Sequence, residues 1–245
     1  MNHSIKRRIL IIDDQESIHQ DYRKIITPLA TEHAGLAQAE AELFGNVVPE
    51  RELAELYEID SAFQGEDAVG LVQQALAEGR PYAVAFVDIR MPPGCDGIQT
   101  IRKMWEFDRE LLVVISSAYS DYSWEDICRA LGRTDRFLIL RKPFESIEVR
   151  QFAAALSQRW VIARTDPLTG LVNRRAFKEQ LRHEWTHCVR HQQPLCCVML
   201  DLDYFKAVND RFGHASGDQT LKTICLRTQH WCTREPVRLT KAWRS

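Results

Sequence analysis

The sequence predicts an α/β protein: a doubly wound, five-stranded parallel sheet, then a helical linker and a second α/β segment. Three observations point there. Five short apolar runs, Ile9-Ile12, Tyr57-Ala62, Tyr82-Val87, Leu111-Ile115 and Phe137-Leu140, are rich in branched and aromatic residues. Segments with helical spacing lie between them, about Ser17-Leu29, Glu66-Glu78, Ile98-Phe107 and Trp124-Leu131. Continuous apolar strands alternating with helices describe a parallel sheet covered on both faces.

One connection is too long for this scheme. An Ala/Glu-rich stretch at about 30–55, with Gly45, Asn46 and Pro49, reads as a surface insertion or an extended first helix. After Pro143 a helix is expected from Glu145 to Arg164. Its apolar stripe, Val149, Phe152, Leu156, Trp160 and Ala163, has two uses. It can pack on its own domain, or it can form a two-stranded coiled coil in a homodimer. Asp166-Pro167 ends it, because the residue before proline is pushed out of helical geometry. A second αβ pattern follows: a helix from Asn173 to about His191, a buried strand Leu195-Leu200, a polar helix start, a loop with Gly213 and Gly217, and a helix from Gln219 to Gln229.

Composition excludes several classes. With 245 residues, net charge −2, 45% hydrophobic and 27% charged residues, the chain is ordinary globular protein. The basic excess of a nucleic-acid binder is missing. No apolar run approaches a membrane span of roughly 18 residues, and the apolar stretch behind the basic N-terminus stops at Asp13, so no secretory signal is expected. Seven cysteines without CxxC spacing fit reduced thiols and a cytoplasmic location.

The strand ends carry chemistry. Asp13 and Asp14 follow the first run and Asp88 follows the third. Ligand sites of open parallel sheets form beyond the carboxyl ends of strands, so these acids can meet there. Clustered carboxylates repel, and a hard cation such as Mg²⁺ with oxygen ligands relieves this. Ser117 after the fourth run and Lys142 after the fifth add a hydroxyl and an ammonium, which suit phosphoryl oxygens. Any one of these residues is more often a cap or a surface charge; their order at four of five strand ends is what counts.

On Ile9-Leu-Ile-Ile-Asp-Asp14, Val87-Asp-Ile-Arg-Met-Pro92, Ser116-Ser-Ala118 and Lys142-Pro-Phe144, residues 5 to 145 resemble the receiver domain of two-component response regulators. The resemblance implies Asp88 as phosphoacceptor, supplied by a sensor histidine kinase. It also implies Mg²⁺ held by Asp13, Asp14, Asp88 and the backbone carbonyl of Arg90, with Ser117 and Lys142 reading the phosphoryl group. Receivers often carry an aromatic switch residue three before the lysine; here that position is Ile139.

The second constellation is Asp201-Leu-Asp-Tyr-Phe-Lys-Ala-Val-Asn-Asp210 with Gly213-His214 and Gly217-Asp218. An acid at a strand end suits a metal, Lys206 at a helix start suits a phosphate, and Asn209 and Asp218 match a purine edge. With Asp166-Pro-Leu-Thr-Gly-Leu-Val-Asn-Arg174, the string resembles the GGDEF domain of diguanylate cyclases, which join two GTP molecules into cyclic di-GMP. The resemblance implies Mg²⁺ on Asp201 and the carbonyl of Leu202, triphosphate beside Tyr204, Phe205 and Lys206, and guanine on Asn209 and Asp218. The signature turn, Gly-Gly-Asp/Glu-Glu-Phe, is expected near Ala242 and is missing. A frameshift and a natural truncation both account for that.

The organisation expected is a receiver at 1–145, a helical linker at 146–165 and the front part of a GGDEF domain at 166–245. The expected function is a phosphorelay regulator of the receiver–cyclase type, phosphorylatable but catalytically incompetent. The alternatives are an active cyclase and a non-enzymatic phospho-dependent switch. A further string, His183-Glu184-Trp185-Thr186-His187, matches the HExxH of zinc proteases. Position 190, which the longer protease pattern needs as glycine, is Arg190, and a solvated helix face is the better reading.

Overall fold

The computed structural model describes residues 6–27, 57–91, 96–118 and 123–232. The stretch at about 30–55 lies outside the described residues, as does the region around Ala242. Each of the five apolar runs becomes a strand: β1 (Arg7–Ile12), β2 (Tyr57–Ala62), β3 (Val84–Asp88), β4 (Leu112–Ala118) and β5 (Phe137–Lys142). All pair in parallel, in the order β2-β1-β3-β4-β5. Helices α1 (Glu16–Ile26), α2 (Gly65–Ala77), α3 (Gly97–Phe107), α4 (Trp124–Leu131) and α5 (Ser146–Arg164) accompany them.

Successive strand side chains point to opposite faces, and both faces here are apolar. Leu10, Ile12, Val87, Val113 and Ile115 build one core with Val72 of α2, Ile101 and Met104 of α3 and Ile127 of α4. Ile9, Ile11, Val84, Phe86 and Val114 build the other with Tyr22 of α1 and Val149, Leu156 and Trp160 of α5. Each such side chain stabilises the fold by about 2 kcal/mol when fully buried, which is how the two helix layers hold the sheet between them.

The stripe on α5 is thereby spent within the first domain. Val149, Leu156 and Trp160 cannot also form a coiled-coil seam while they cover the sheet, so of its two uses the structure takes the intramolecular one.

Glycine is required where α3 meets β3. A Cβ on Gly97 would lie 2.2 Å from the backbone oxygen of Asp88. Asp96 caps the same helix by accepting from the Gln99 amide at 2.7 Å. The helix therefore starts directly against the end of the strand that carries Asp88.

The chain divides into two compact units, Met1–Val161 and Ile162–Ser245. The second opens on a tied turn. Asp166 accepts from the Thr169 amide and hydroxyl at 2.9 and 2.7 Å, Gly170 takes φ +69°, and Asn173 caps α6 (Arg174–His191) through the Ala176 amide at 3.0 Å. The string from Asp166 to Arg174 is thus a tied turn that leads into the capped start of α6.

Two expectations for this unit are corrected. Leu195–Leu200 forms no strand, and the run is exposed. A strand needs a neighbour for its amides and carbonyls, and among the described residues nothing pairs with it. The loop expected at Gly217 is helical: α7 (Phe205–Phe212) ends at Gly213, φ +81°, and α8 (His214–Cys232) starts at once. Gly217 serves a close crossing, since a Cβ there would lie 1.9 Å from Asn209 Oδ1.

Candidate functional site

The strand order reverses between β1 and β3, and the crevice at the carboxyl ends of these two strands is where a doubly wound sheet binds ligands. Asp13 and Asp14 leave β1 there, and Asp88 ends β3. The register sets the rest: Asp88 lies abreast of Ser116, Ser117 of Arg141, and Ala118 of Lys142. Four strand ends thus deliver the acids, the hydroxyl and the ammonium to one edge.

Lys142 ties the acids together. Its Nζ lies 3.0 Å from Asp13 Oδ2 and 3.0 Å from Asp88 Oδ1. Asp13 is 1% exposed and Asp88 7%. Burial holds the Asp88 carboxyl above its ordinary range, with Asp13 adding to it; Lys142 and the Ile89 amide pull the other way and do not win. Burial alone would lower the Lys142 ammonium, but its bond to Asp13 and the charges of both acids hold it above its ordinary value. Ser117 is buried and its hydroxyl donates to the Ala118 carbonyl at 3.0 Å. Arg90 lies two residues beyond β3 and is itself exposed, between the buried Ile89 and Met91.

The pocket suits a hard cation. Asp13, Asp14 and Asp88 offer ligand oxygens all within 4.8 Å of one another, and Asp14 Oδ1 is buried without a hydrogen-bond partner. Donors that are all oxygen, with a partnerless buried carboxylate oxygen among them, match Mg²⁺ rather than a softer metal.

Three contributors escaped the sequence reading. Gly97 is one. Tyr22 is another: its ring lies 5.0 Å from Phe86 and 5.2 Å from Phe144, and burial pushes its phenol up. The third is His19, buried on α1 with Tyr22 and Ile26. Its only sequence signal was a polar residue at helical spacing on an apolar face. Ile139 is half-buried and packs against the α2–α3–α4 core.

The second constellation is only partly assembled. Asp201 and Tyr204 are exposed, and Asp201 follows no strand. Tyr204 precedes α7 with a left-handed φ of 58°, and Phe205 and Lys206 open that helix. Asn209 meets Gly217, next to Asp218, where α7 crosses α8. Among the described residues the three acids of the first pocket are the only group of three metal-ligating side chains, so neither Asp201 nor His183, Glu184, His187 and His191 belongs to one.

Residues 163–239 match the family model for "Diguanylate cyclase, GGDEF domain". A diguanylate cyclase of Vibrio cholerae is 34% identical over 95 residues, 36% of this chain and 30% of that protein. Diguanylate cyclase DgcP of Pseudomonas aeruginosa is 43% identical over 77 residues, 31% of this chain and 12% of that protein. The cyclic di-GMP phosphodiesterase NbdA of Pseudomonas aeruginosa is 47% identical over 66 residues, 27% of this chain and 8% of that protein. The chain therefore spans less than a third of the length of these relatives.

Solved structures similar to it include the signal receiver domain of an HD domain-containing protein from Pseudomonas fluorescens Pf-5, at TM-score 0.46 and 16% identity over 67% of this chain and 96% of that one. A response regulator receiver protein from Sinorhizobium medicae gives 0.42 and 20% over 63% and 97%. Strand order and the acid–lysine pocket characterise the first unit by themselves, and the family match characterises the second. The chain joins a doubly wound, five-stranded parallel domain with an acid–lysine pocket to a segment, residues 163–239, that matches the GGDEF family model.

Proposed function

We propose that this chain is a phosphorelay regulator in which Asp88 accepts a phosphoryl group. The observation that carries it is Lys142 bridging Asp13 and Asp88 at 3.0 Å each, beside the partnerless Asp14 oxygen. An Asp88 carboxylate oxygen attacks the phosphorus of a phosphodonor, a histidine kinase or a small acyl phosphate. A phosphorus–oxygen bond forms and the bond to the leaving group breaks. Mg²⁺ held by Asp13, Asp14, Asp88 and the Arg90 carbonyl would supply positive charge facing the phosphoryl oxygens. Lys142 is placed to exchange its Asp88 contact for one of those oxygens, and Ser117 offers a hydroxyl on the adjoining strand. We place the receiver at 1–161, because α5 packs on its sheet and takes up most of the connector expected at 146–165, and the GGDEF segment after it.

The test is acetyl phosphate with Mg²⁺, read by intact mass. Wild type should gain one phosphoryl group and Asp88→Asn none. Equal labelling of the two proteins would remove Asp88 from the role.

For the second unit, the family match supports GTP as ligand. Asp201 and the Leu202 carbonyl would meet Mg²⁺, Tyr204, Phe205 and Lys206 the triphosphate, and Asn209 and Asp218 the guanine. The 245 residues hold no Gly-Gly dipeptide, so the turn that positions the reacting hydroxyl has no counterpart among them. Phosphorylated protein incubated with GTP and Mg²⁺ should accordingly yield no cyclic di-GMP above a protein-free control, and turnover would restore the active-cyclase reading. Homodimers through α5 would have to use its outward residues, such as Ile147 and Ile162.

A further inference from the structure

His19 is 1% exposed, and both of its ring nitrogens are engaged. Nε2 lies 2.7 Å from the backbone oxygen of Asp13. A carbonyl only accepts, so Nε2 carries the proton and donates it. Nδ1 lies 3.0 Å from Ser61 Oγ, on β2. In the tautomer that carries its proton on Nε2, Nδ1 accepts from the Ser61 hydroxyl, whose oxygen also accepts from Arg23 Nη2 at 3.0 Å. The Phe63 ring packs on the imidazole at 4.5 Å. Ser61, Phe63 and Asp13 thus surround the ring and fix how it is turned.

The bonded carbonyl belongs to the peptide unit between Asp13 and Asp14. That unit is a rigid plane, so its rotation sets the angle between the two carboxylates that follow from it. Lys142 holds one Asp13 oxygen and the Gln15 amide donates to the other at 3.0 Å. The Gln15 bond closes a turn around Asp14 and holds the peptide that follows it; the His19 bond holds the peptide that precedes it.

We infer that His19 is a positioning residue. By holding the Asp13–Asp14 peptide plane it presets the pair of carboxylates for a divalent cation, without touching the cation or the phosphoryl group. This rests on the pocket being the cation site of the proposed function. Partners of this indirect kind typically change metal affinity by about 10- to 100-fold.

The experiment is calorimetric titration of the full chain with MgCl₂. The variants are His19→Phe, which keeps a ring and loses the donor; His19→Gln, whose side-chain N–H can reach the same carbonyl; and Asp14→Asn, with folding checked by circular dichroism. His19→Phe should bind Mg²⁺ about tenfold more weakly than wild type, while His19→Gln keeps most of the wild-type affinity. At saturating Mg²⁺ the extent of beryllofluoride uptake should be equal in all three folded proteins that retain Asp14. Should His19→Phe unfold, His19→Asn, whose amide stops short of the carbonyl, replaces it with the same expected loss. Wild-type affinity in His19→Phe, or an equal loss in the folded Phe and Gln variants, would overturn the role given to His19. A wild type that binds Mg²⁺ no better than Asp14→Asn would overturn the cation site itself, and the inference with it.

Discussion

Val84–Asp88 and Leu195–Asp201 are nearly the same text: a short apolar run that ends in an aspartate. Their fates differ. The first is β3, every residue buried, with β1 on one side and β4 on the other. The second forms no ladder, and Val198, Met199 and Leu200 are 65, 78 and 67% exposed. Asp88 is consequently held by Lys142 in a pocket that raises its pKa, while Asp201 sits on the surface. An acid after an apolar run acquires chemistry from the neighbouring strand ends, and the run itself confers none.

The comparison can be broken most forcefully in the cores. Phe86→Ala should cost about 3–5 kcal/mol by urea unfolding, since it opens a cavity between α1 and α5. Val198→Ala should stay within about 0.5 kcal/mol, as exposed substitutions do. Comparable losses at the two positions would mean that the second run is packed.

The glycines sharpen it at a smaller scale. Gly97→Ala forces a Cβ onto the Asp88 backbone, which cannot turn aside, so it should cost about 1–3 kcal/mol and slow phosphorylation. Gly217→Ala meets the tip of the Asn209 side chain, which can rotate away. It should cost less in unfolding experiments, although the added Cβ starts closer to its obstacle.

Smaller still is the pH response of the pocket. The folded pKa of Asp88 lies above 3.8, so ionising it costs stability. That cost is absent below pH 3.8 and develops as pH rises through the folded value. Without Mg²⁺, Asp88→Asn should be more stable than wild type at neutral pH, with the gap closing on acidification. Lys142 acts at the other end: its contribution is complete below its ordinary 10.5 and fades as pH rises through the higher folded value. The difference between wild type and Asp88→Asn in chemical denaturation from pH 3 to pH 7, where Lys142 stays charged, checks the first sign. A gap that widens towards acid would contradict it.

The central strands β1, β3 and β4 were legible as near-continuous apolar runs, the pattern of a strand buried on both faces; the edge strands β2 (YEIDSA) and β5 are only partly buried, and their branched and aromatic residues and their place between helices gave them away. The pocket was legible because its residue types stand at four strand ends in order. His19 was not, since it acts through a backbone carbonyl that leaves no mark on the sequence. Gly97 and Gly217 answer to tertiary approaches that no local pattern encodes. Leu195–Leu200 was misread for the converse reason: a strand is a property of a pair, and periodicity describes one member only. The α5 stripe had two physical solutions with the same spacing, and only the sheet beneath it decides between them.

Amide hydrogen exchange compares the two runs in one experiment. Amides of Val84–Asp88 should exchange at rates near those of global unfolding, and amides of Leu195–Leu200 near those of an unpaired chain. Beryllofluoride with Mg²⁺ should slow exchange around Asp13, Asp14 and Ile89 in wild type, not in Asp88→Asn, and should leave Leu195–Leu200 unchanged. Protection of Leu195–Leu200 equal to that of Val84–Asp88, or slowing that survives Asp88→Asn, would contradict this account.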